Sequence, residues 1–306
     1  MAGALAVGLL LGCSDGDEAT SPGAAPAHSS ARPVLCARLR ARTTGEVATE
    51  AASELSGLAV SHAQRGVLWT HNDSGDSPRV FAVTSRGRLR AELAVAGAEA
   101  RDWEDIAVGP GPSGGPALYL ADIGDNATER SDVVVYRVKE PRIAGGGGGA
   151  TATSPARALV LRYPDGAHDA EALLVSPTTG ALFIVTKAYS GKAGVYLAAR
   201  PRHGATTTLR RVGRVSLGSG DAVTAGDVAA DGRTIAVRSY FQAFVWSRRR
   251  GESIAGALAR RPCAADADLF DEGQGEALAL ARDGRAFYTV PEGPRPDIRR
   301  YAPVKP

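Results

Sequence analysis

Short apolar runs, each entered through an acidic or small polar residue, recur along this chain. They are Ser56-Gly57-Leu58-Ala59-Val60, Asp102-Trp103-Glu104-Asp105-Ile106-Ala107-Val108, Glu171-Ala172-Leu173-Leu174-Val175, Gly226-Asp227-Val228-Ala229-Ala230 and Glu276-Ala277-Leu278-Ala279-Leu280. Each run, an acidic or small polar step followed by a short apolar stretch, reads as the first strand of a repeated unit. The segments between the runs repeat as well. After the first run come a turn at Ser61 to Gly66, a strand at Val67 to Thr70, a loop at His71 to Pro78, and strands at Arg79 to Thr84 and Leu89 to Val95. Four short strands per repeat, with Leu58, Ile106, Leu173, Val228 and Leu278 as equivalent positions roughly 50 residues apart, are the pattern of propeller blades.

The repeats are unequal. The second carries Gly145 to Gly149, with no helix start or Lys-Ser/Thr behind it, which makes it a flexible insertion and not a phosphate cradle. Ile254 to Ala259 reads as the outer strand of the fourth repeat. The fifth stops at Ile298 to Tyr301 without an outer strand, while Pro33 to Thr44 is a strand with no hairpin partner nearby. Letting that N-terminal strand complete the C-terminal sheet removes an exposed edge. The expected fold is therefore all-β: a five-bladed β-propeller, in preference to six blades, closed by the N-terminal strand. It occupies residues 33–306 as one domain. A pair of sandwich domains is the alternative.

Composition adds context. With 44% hydrophobic and 23% charged residues the chain is ordinary globular material, and a net charge of +3 spread through Arg-rich strands forms no contiguous basic stretch of the kind nucleic acid requires. Residues 1–13 are different: an apolar run ends in Leu10-Leu11-Gly12-Cys13, which resembles a bacterial lipobox, although no basic residue precedes it. That resemblance implies a lipoprotein signal peptide and a lipid anchor on Cys13, with the protein exported to the cell envelope. Residues 14–32 have the composition of a disordered tether. Export favours a disulfide between the two remaining cysteines, Cys36 and Cys263, whose segments the ring closure brings together. A monomer is expected.

In a propeller, the start of each inner strand and the loop between second and third strands open on the same face. The first set is Asp102 to Asp105, His168 to Glu171, Asp227 and Gln274 to Glu276. The second is His71 to Asp76, Asp122 to Asn126, Thr186 to Tyr189, Arg238 to Phe241, and Pro291 with Glu292. Carboxylates crowded on one axis repel unless a cation joins them, and a hard cation with oxygen ligands fits. Calcium held by Asn72, Asp73, Glu104, Asp122, Asn126, Glu171 and Glu276 is the expectation; no His or Cys spacing suggests zinc. Lys187 and Arg238, at the ends of second strands, could hold a phosphate or carboxylate, or else pair with Glu171 or Asp227. Trp103, Tyr189, Tyr240 and Phe241 could stack on a sugar or aryl group. Glu171 or His168 would direct a water.

The segments Asn72-Asp73-Ser74-Gly75-Asp76, Asp102 to Ala107, Asp122 to Asn126, Asp169 to Leu173 and Gly275 to Leu278 resemble an exported bacterial β-propeller lipoprotein family. More distantly they are similar to phytase-like and gluconolactonase-like propellers, which have six blades. The distant resemblance implies a calcium-dependent hydrolase of phosphate esters or lactones. The rival expectation is a non-catalytic propeller that binds a saccharide or a protein and uses calcium structurally. Nothing resembles a nucleophilic Ser elbow or a Cys-His pair.

Overall fold

The computed structural model describes residues 33–144 and 151–304. The lipobox with Cys13, the tether at 14–32 and the glycines at 145–149 lie outside the described residues. The rest forms five antiparallel sheets whose innermost strands are Leu55–Val60, Trp103–Pro110, Ala170–Val175, Val223–Val228 and Ala277–Leu280. Each inner strand packs against the next, and the fifth packs against the first, so the ring is closed with five blades. Five apolar clusters fill the gaps between blades. Trp69, Ile106 and Leu118 belong to the one between blades 1 and 2, and Ile184, Leu159 and Leu173 to the one between blades 2 and 3. Because every inner strand has a blade face on both sides, it must be apolar on both, which explains the unbroken runs.

The N-terminal strand, Leu39–Glu46, pairs antiparallel with Asp297–Pro303 and supplies the outer strand of blade 5. A disulfide between Cys36 and Cys263, with Cα atoms 5.8 Å apart, ties the approach to this strand to the edge of blade 4. Bonds of this kind persist in oxidising compartments. Among the described residues no helix is long and apolar enough to cross a membrane.

Three details differ from the sequence expectation. Ile254–Leu258 is a short helix, not a strand: Ser253 caps it by accepting the Gly256 amide, and the outer strand of blade 4 shrinks to Cys263–Ala264. Blade 2 gains a fifth strand, Thr206–Thr208, which runs parallel to Arg157–Arg162 and covers that edge. In blade 4 the register is shifted. Gly226 pairs with Val237 as Leu58 pairs with Thr70, so Gly226, and not Val228, is the equivalent of Leu58.

That shift moves Asp227 away from the mouth, and Asp105 also points elsewhere than a ligand. Asp105 is fully buried and accepts amides from its own blade and two others: Ile106 at 2.9 Å, Leu173 at 2.9 Å and Gly226 at 3.3 Å. Asp227 accepts from Val228 at 2.7 Å and Leu280 at 2.8 Å. Burial holds the Asp105 carboxyl well above its ordinary range and pushes Asp227 up to about 7. Both carboxyls stitch inner strands together below the mouth.

Candidate functional site

The mouth is built by a repeated irregularity. At the start of the inner strand the pairing slips by one residue between Leu55 and Gly57, Trp103 and Asp105, Ala170 and Ala172, and Val223 and Ala225. The extra residues are Ser56, Glu104, Glu171 and Thr224. Glu276, just before Ala277 and its partner Val290, takes the same place in blade 5. A bulge leaves one residue unpaired and re-aims its side chain. Here that device delivers three glutamates, one serine and one threonine to a common ring around the axis.

Further carboxylates close around them. Asp102 and Asp169 lie two residues before Glu104 and Glu171, and Asp73 and Glu292 come from loops after second strands. The seven form three overlapping groups, Asp73-Glu276-Glu292, Asp73-Asp102-Glu104 and Glu104-Asp169-Glu171, each with one oxygen per residue within 4.8 Å of the others. Gly124 makes room for this: a Cβ there would collide with Glu104 Oε1 and Asp102 Oδ2.

Burial and mutual repulsion raise the carboxyls. Glu104 is pushed up to about 12, first by burial and then by Glu171, Asp73 and Asp102. Glu171 is pushed up to about 8 by burial against the pull of Lys187, whose Nζ donates to Oε1 at 2.6 Å. The ammonium of Lys187 is itself held charged by that contact. Glu292 rises to about 7 and Asp73 to about 6, again by burial first, and Asp102 rises for the same reason. Oε2 of Glu171 is buried without any hydrogen-bond partner. An oxygen so placed asks for a proton or a cation.

One side of the rim is aromatic. The Tyr240 hydroxyl donates to Glu276 Oε1 at 3.1 Å, and Lys187 Nζ lies 5.7 Å from the Tyr240 ring centre. Phe241 and Phe270, 50% and 70% exposed, stand with ring centres 5.4 Å apart next to it, and Tyr189 is exposed nearby in sequence to Lys187.

Of the residues expected from sequence, Asp73, Glu104, Glu171, Glu276, Lys187 and Tyr240 are brought together. Others are committed elsewhere. Asn72 spends its amide on the backbone of Glu54 and Ala51 and on Asp76, so it braces its loop. Asp122 is paired with Arg130 at 2.8 Å and accepts the Arg101 and Asp102 amides. Asn126 is exposed on the loop after the second strand of blade 2. The His168 ring is held by Asp165 at 3.0 Å and the Tyr196 hydroxyl at 2.8 Å, with Tyr163 edge-on to it, and so does not serve the mouth. Trp103 is buried, donates to the Glu99 carbonyl at 2.9 Å and packs edge-on against His71. Tyr189, 66% exposed, keeps a free ring.

Arg238 is the sharpest correction. It pairs with Ala225 one place before the strand end, whereas Lys187 follows the last paired residue of its strand, so the two are not equivalent. Arg238 is fully buried, with Nη2 2.7 Å from Glu272 Oε2 as an ion pair, and its Nη1 donates to the Ala277 carbonyl at 3.0 Å. It is a bolt between blades 4 and 5. Conversely, Asp102, Asp169 and Glu292 join the cluster although the sequence points to their segments and not to their side chains as ligands. The Asp-x-Glu spacing that recurs at 102–104 and 169–171 is the signal that could have found two of them.

The chain matches no protein-family model and no curated protein. Among solved structures it is similar to the PQQ-bound aldose sugar dehydrogenase of Streptomyces coelicolor, at 13% identity over 87% of this chain and 98% of that one, with a TM-score of 0.49. The soluble aldose sugar dehydrogenase of Escherichia coli in its apo form is similar at 10% identity over 87% and 100%, with a TM-score of 0.46. Likeness at this level says nothing about chemistry.

Proposed function

We propose that this protein is an exported propeller that holds a divalent cation, calcium by its ligand chemistry, at the channel mouth and binds a small hydroxylated or phosphorylated molecule over it. The observation that carries this reading is the set of three overlapping carboxylate groups together with the partnerless buried oxygen of Glu171. All the donors are hard oxygens, which suits calcium and not zinc or copper. Asp73, Asp102, Glu104, Asp169, Glu171, Glu276 and Glu292 are the residues that would hold it. When bound, calcium would neutralise the cluster and act as a Lewis acid toward an oxygen of the ligand. Tyr240 and Tyr189, with Phe241, offer stacking surface for a sugar or aryl group, and a saccharide is the ligand class that uses both features. Export and a lipid anchor at Cys13 complete the reading.

A second reading, hydrolysis of a phosphate ester or lactone, is favoured by one feature. Glu171, raised to about 8 and next to Lys187, is a carboxyl able to exchange a proton near neutral pH. In that reading Glu171 takes a proton from water and Lys187 faces the developing negative charge. Calorimetric titration of the chelator-treated protein with calcium tests the first reading, with Glu104→Gln and Glu171→Gln together as control. Saturable binding lost in the double variant supports it; no binding by the native protein sinks it. Turnover of a phosphate-ester and lactone panel that vanishes with chelator and with Glu171→Gln would establish the second.

A further inference from the structure

The end of blade 2 remote from the carboxylates holds a cavity of about 390 Å³, lined by Arg137, Lys139, Arg157, Ser113, Ser154 and the turn at Gly114, among others. The sequence scatters these cations, and strand pairing gathers them. Arg137 and Arg157 stand directly opposite one another on neighbouring antiparallel strands. Lys139, two residues after Arg137, shares its face. Like charges placed opposite one another oppose sheet formation. None of the ion pairs among the described residues includes Arg137, Lys139 or Arg157. The contrast within one strand is informative: at its other end Arg162 is gripped by both oxygens of Asp132, at 2.8 and 2.9 Å. Blade 2 therefore balances the cation at one end and leaves three unbalanced at the other, around a cavity that also offers two serines.

We propose that this cavity is a binding site for a phosphoryl-bearing anion, separate from the carboxylate mouth. Three cations call for more than one negative charge, and arginine's planar fork matches tetrahedral oxyanions. The cavity is larger than a lone phosphate, and Pro112, Pro116, Ala117 and Pro155 give it apolar walls beside the cations, which suits a diphosphate or a phosphate carrying a further group. A free phosphorylated molecule and a phospholipid headgroup share that chemistry.

The test uses the full chain carrying Cys13→Ser, so that no lipid anchor intervenes, in chelator, so that no cation at the mouth recruits the anion. Inorganic pyrophosphate is titrated by calorimetry at low ionic strength and again in added salt. Saturable binding that salt weakens, and that Arg137→Gln with Arg157→Gln weakens at least tenfold, is expected. Absence of saturable binding, or binding that the double variant retains, overturns the proposal. Thermal melting guards against a folding artefact: without anion the double variant should be at least as stable as the native chain, because a repulsion is removed, and only the native chain should gain stability from pyrophosphate. A double variant that melts lower in anion-free buffer overturns the repulsion argument. Co-sedimentation with phosphatidylcholine vesicles, with and without phosphatidylglycerol, separates the sources. Binding that needs both phosphatidylglycerol and the two arginines assigns the site to a headgroup, and pyrophosphate binding without vesicle binding assigns it to a free phosphorylated ligand.

Discussion

Lys187 places its Nζ 2.6 Å from Oε1 of Glu171, and among the described residues this is the one ion pair made by any of the seven mouth carboxylates. The ammonium thus occupies part of the space and charge balance that a dication would take. Replacing it with an apolar chain of similar length removes a competing positive charge within a few ångströms of the cation. Lys187→Met should therefore tighten calcium binding about tenfold, from a Coulomb difference of ~1–2 kcal/mol in a half-wet site. Calorimetry at pH 7.5 decides; weaker binding in the variant would mean that Lys187 helps hold the ligand set in place.

Stability of the metal-free protein should fall as pH rises. Unfolded carboxyls titrate near their ordinary values of about 4. Folded Glu292 and Glu171 do so at about 7 and about 8. The folded state therefore binds more protons between these limits, and the stability this confers is complete at low pH and lost as pH climbs through the folded values. His71, lowered to about 4 by burial, contributes with the opposite sign, because its unfolded imidazole still takes up protons near 6.5; that contribution fades above about pH 7.5, where the carboxyl effect stands alone. Melting curves from pH 6.5 to 8.5 should show a decline in chelator that calcium abolishes. A flat profile in chelator would show that the cluster is already neutralised some other way.

Gly124 is the residue whose smallness the mouth depends on. Gly124→Ala should leave the ring folded, since the contacts in question are side-chain oxygens at the channel mouth, but should displace Glu104 and Asp102. Calcium affinity is expected to drop at least about tenfold, ~1.4 kcal/mol, with a near-native circular dichroism spectrum. Equal affinity would remove Glu104 and Asp102 from the ligand set.

Arg238 and Glu272 make the opposite kind of prediction. Glu272 also accepts from Thr289 at 2.6 Å and from the Tyr301 hydroxyl at 2.9 Å, so its charge is tied into blade 5 while Arg238 comes from blade 4. Arg238→Met leaves a buried carboxylate without its counter-charge and should cost about 3–5 kcal/mol by denaturant unfolding. Calcium affinity of the folded fraction should change less than about twofold, ~0.4 kcal/mol. Lost ligand binding with unchanged stability would return Arg238 to the binding residues.

Reducing the Cys36–Cys263 bond, or Cys36→Ser with Cys263→Ser, should destabilise by about 2–5 kcal/mol, because the bond closes a long loop in the unfolded chain. Unfolding midpoints with and without reductant measure this, and identical midpoints would contradict it.

The blades are legible in the sequence because each inner strand, pressed between two neighbours, must be apolar throughout, and Leu58, Ile106, Leu173 and Leu278 announce it. Blade 4 misleads for a physical reason. Its run Ala225-Gly226-Asp227-Val228 carries an acid at a plausible offset, but that acid serves the Leu280 amide, and the bulged residue is the uncharged Thr224. Ile254–Leu258 is too short for periodicity to separate helix from strand, and only the Ser253 cap marks the difference. At the mouth, residue type alone cannot tell a ligand from a loop brace. Asn72, Asp122 and His168 are held by Asp76, Arg130 and Asp165, partners whose approach depends on folded loops. Arg137 and Arg157 face each other only through the strand register, which residue type does not reveal.

The pairing of Leu39–Glu46 with Asp297–Pro303 also sets the timing of assembly. Among the described residues the first strand to be synthesised waits for the last, and a contact between such distant segments forms slowly because it carries a large loop-closure entropy. Every chain still being synthesised consequently has an open ring with unpaired strand edges, a state prone to aggregation until Asp297–Pro303 arrives. Cys36 and Cys263, 227 residues apart, meet where the N-terminal segment reaches the edge of blade 4, so the appearance of their disulfide over time would report the docking of that segment onto the later blades.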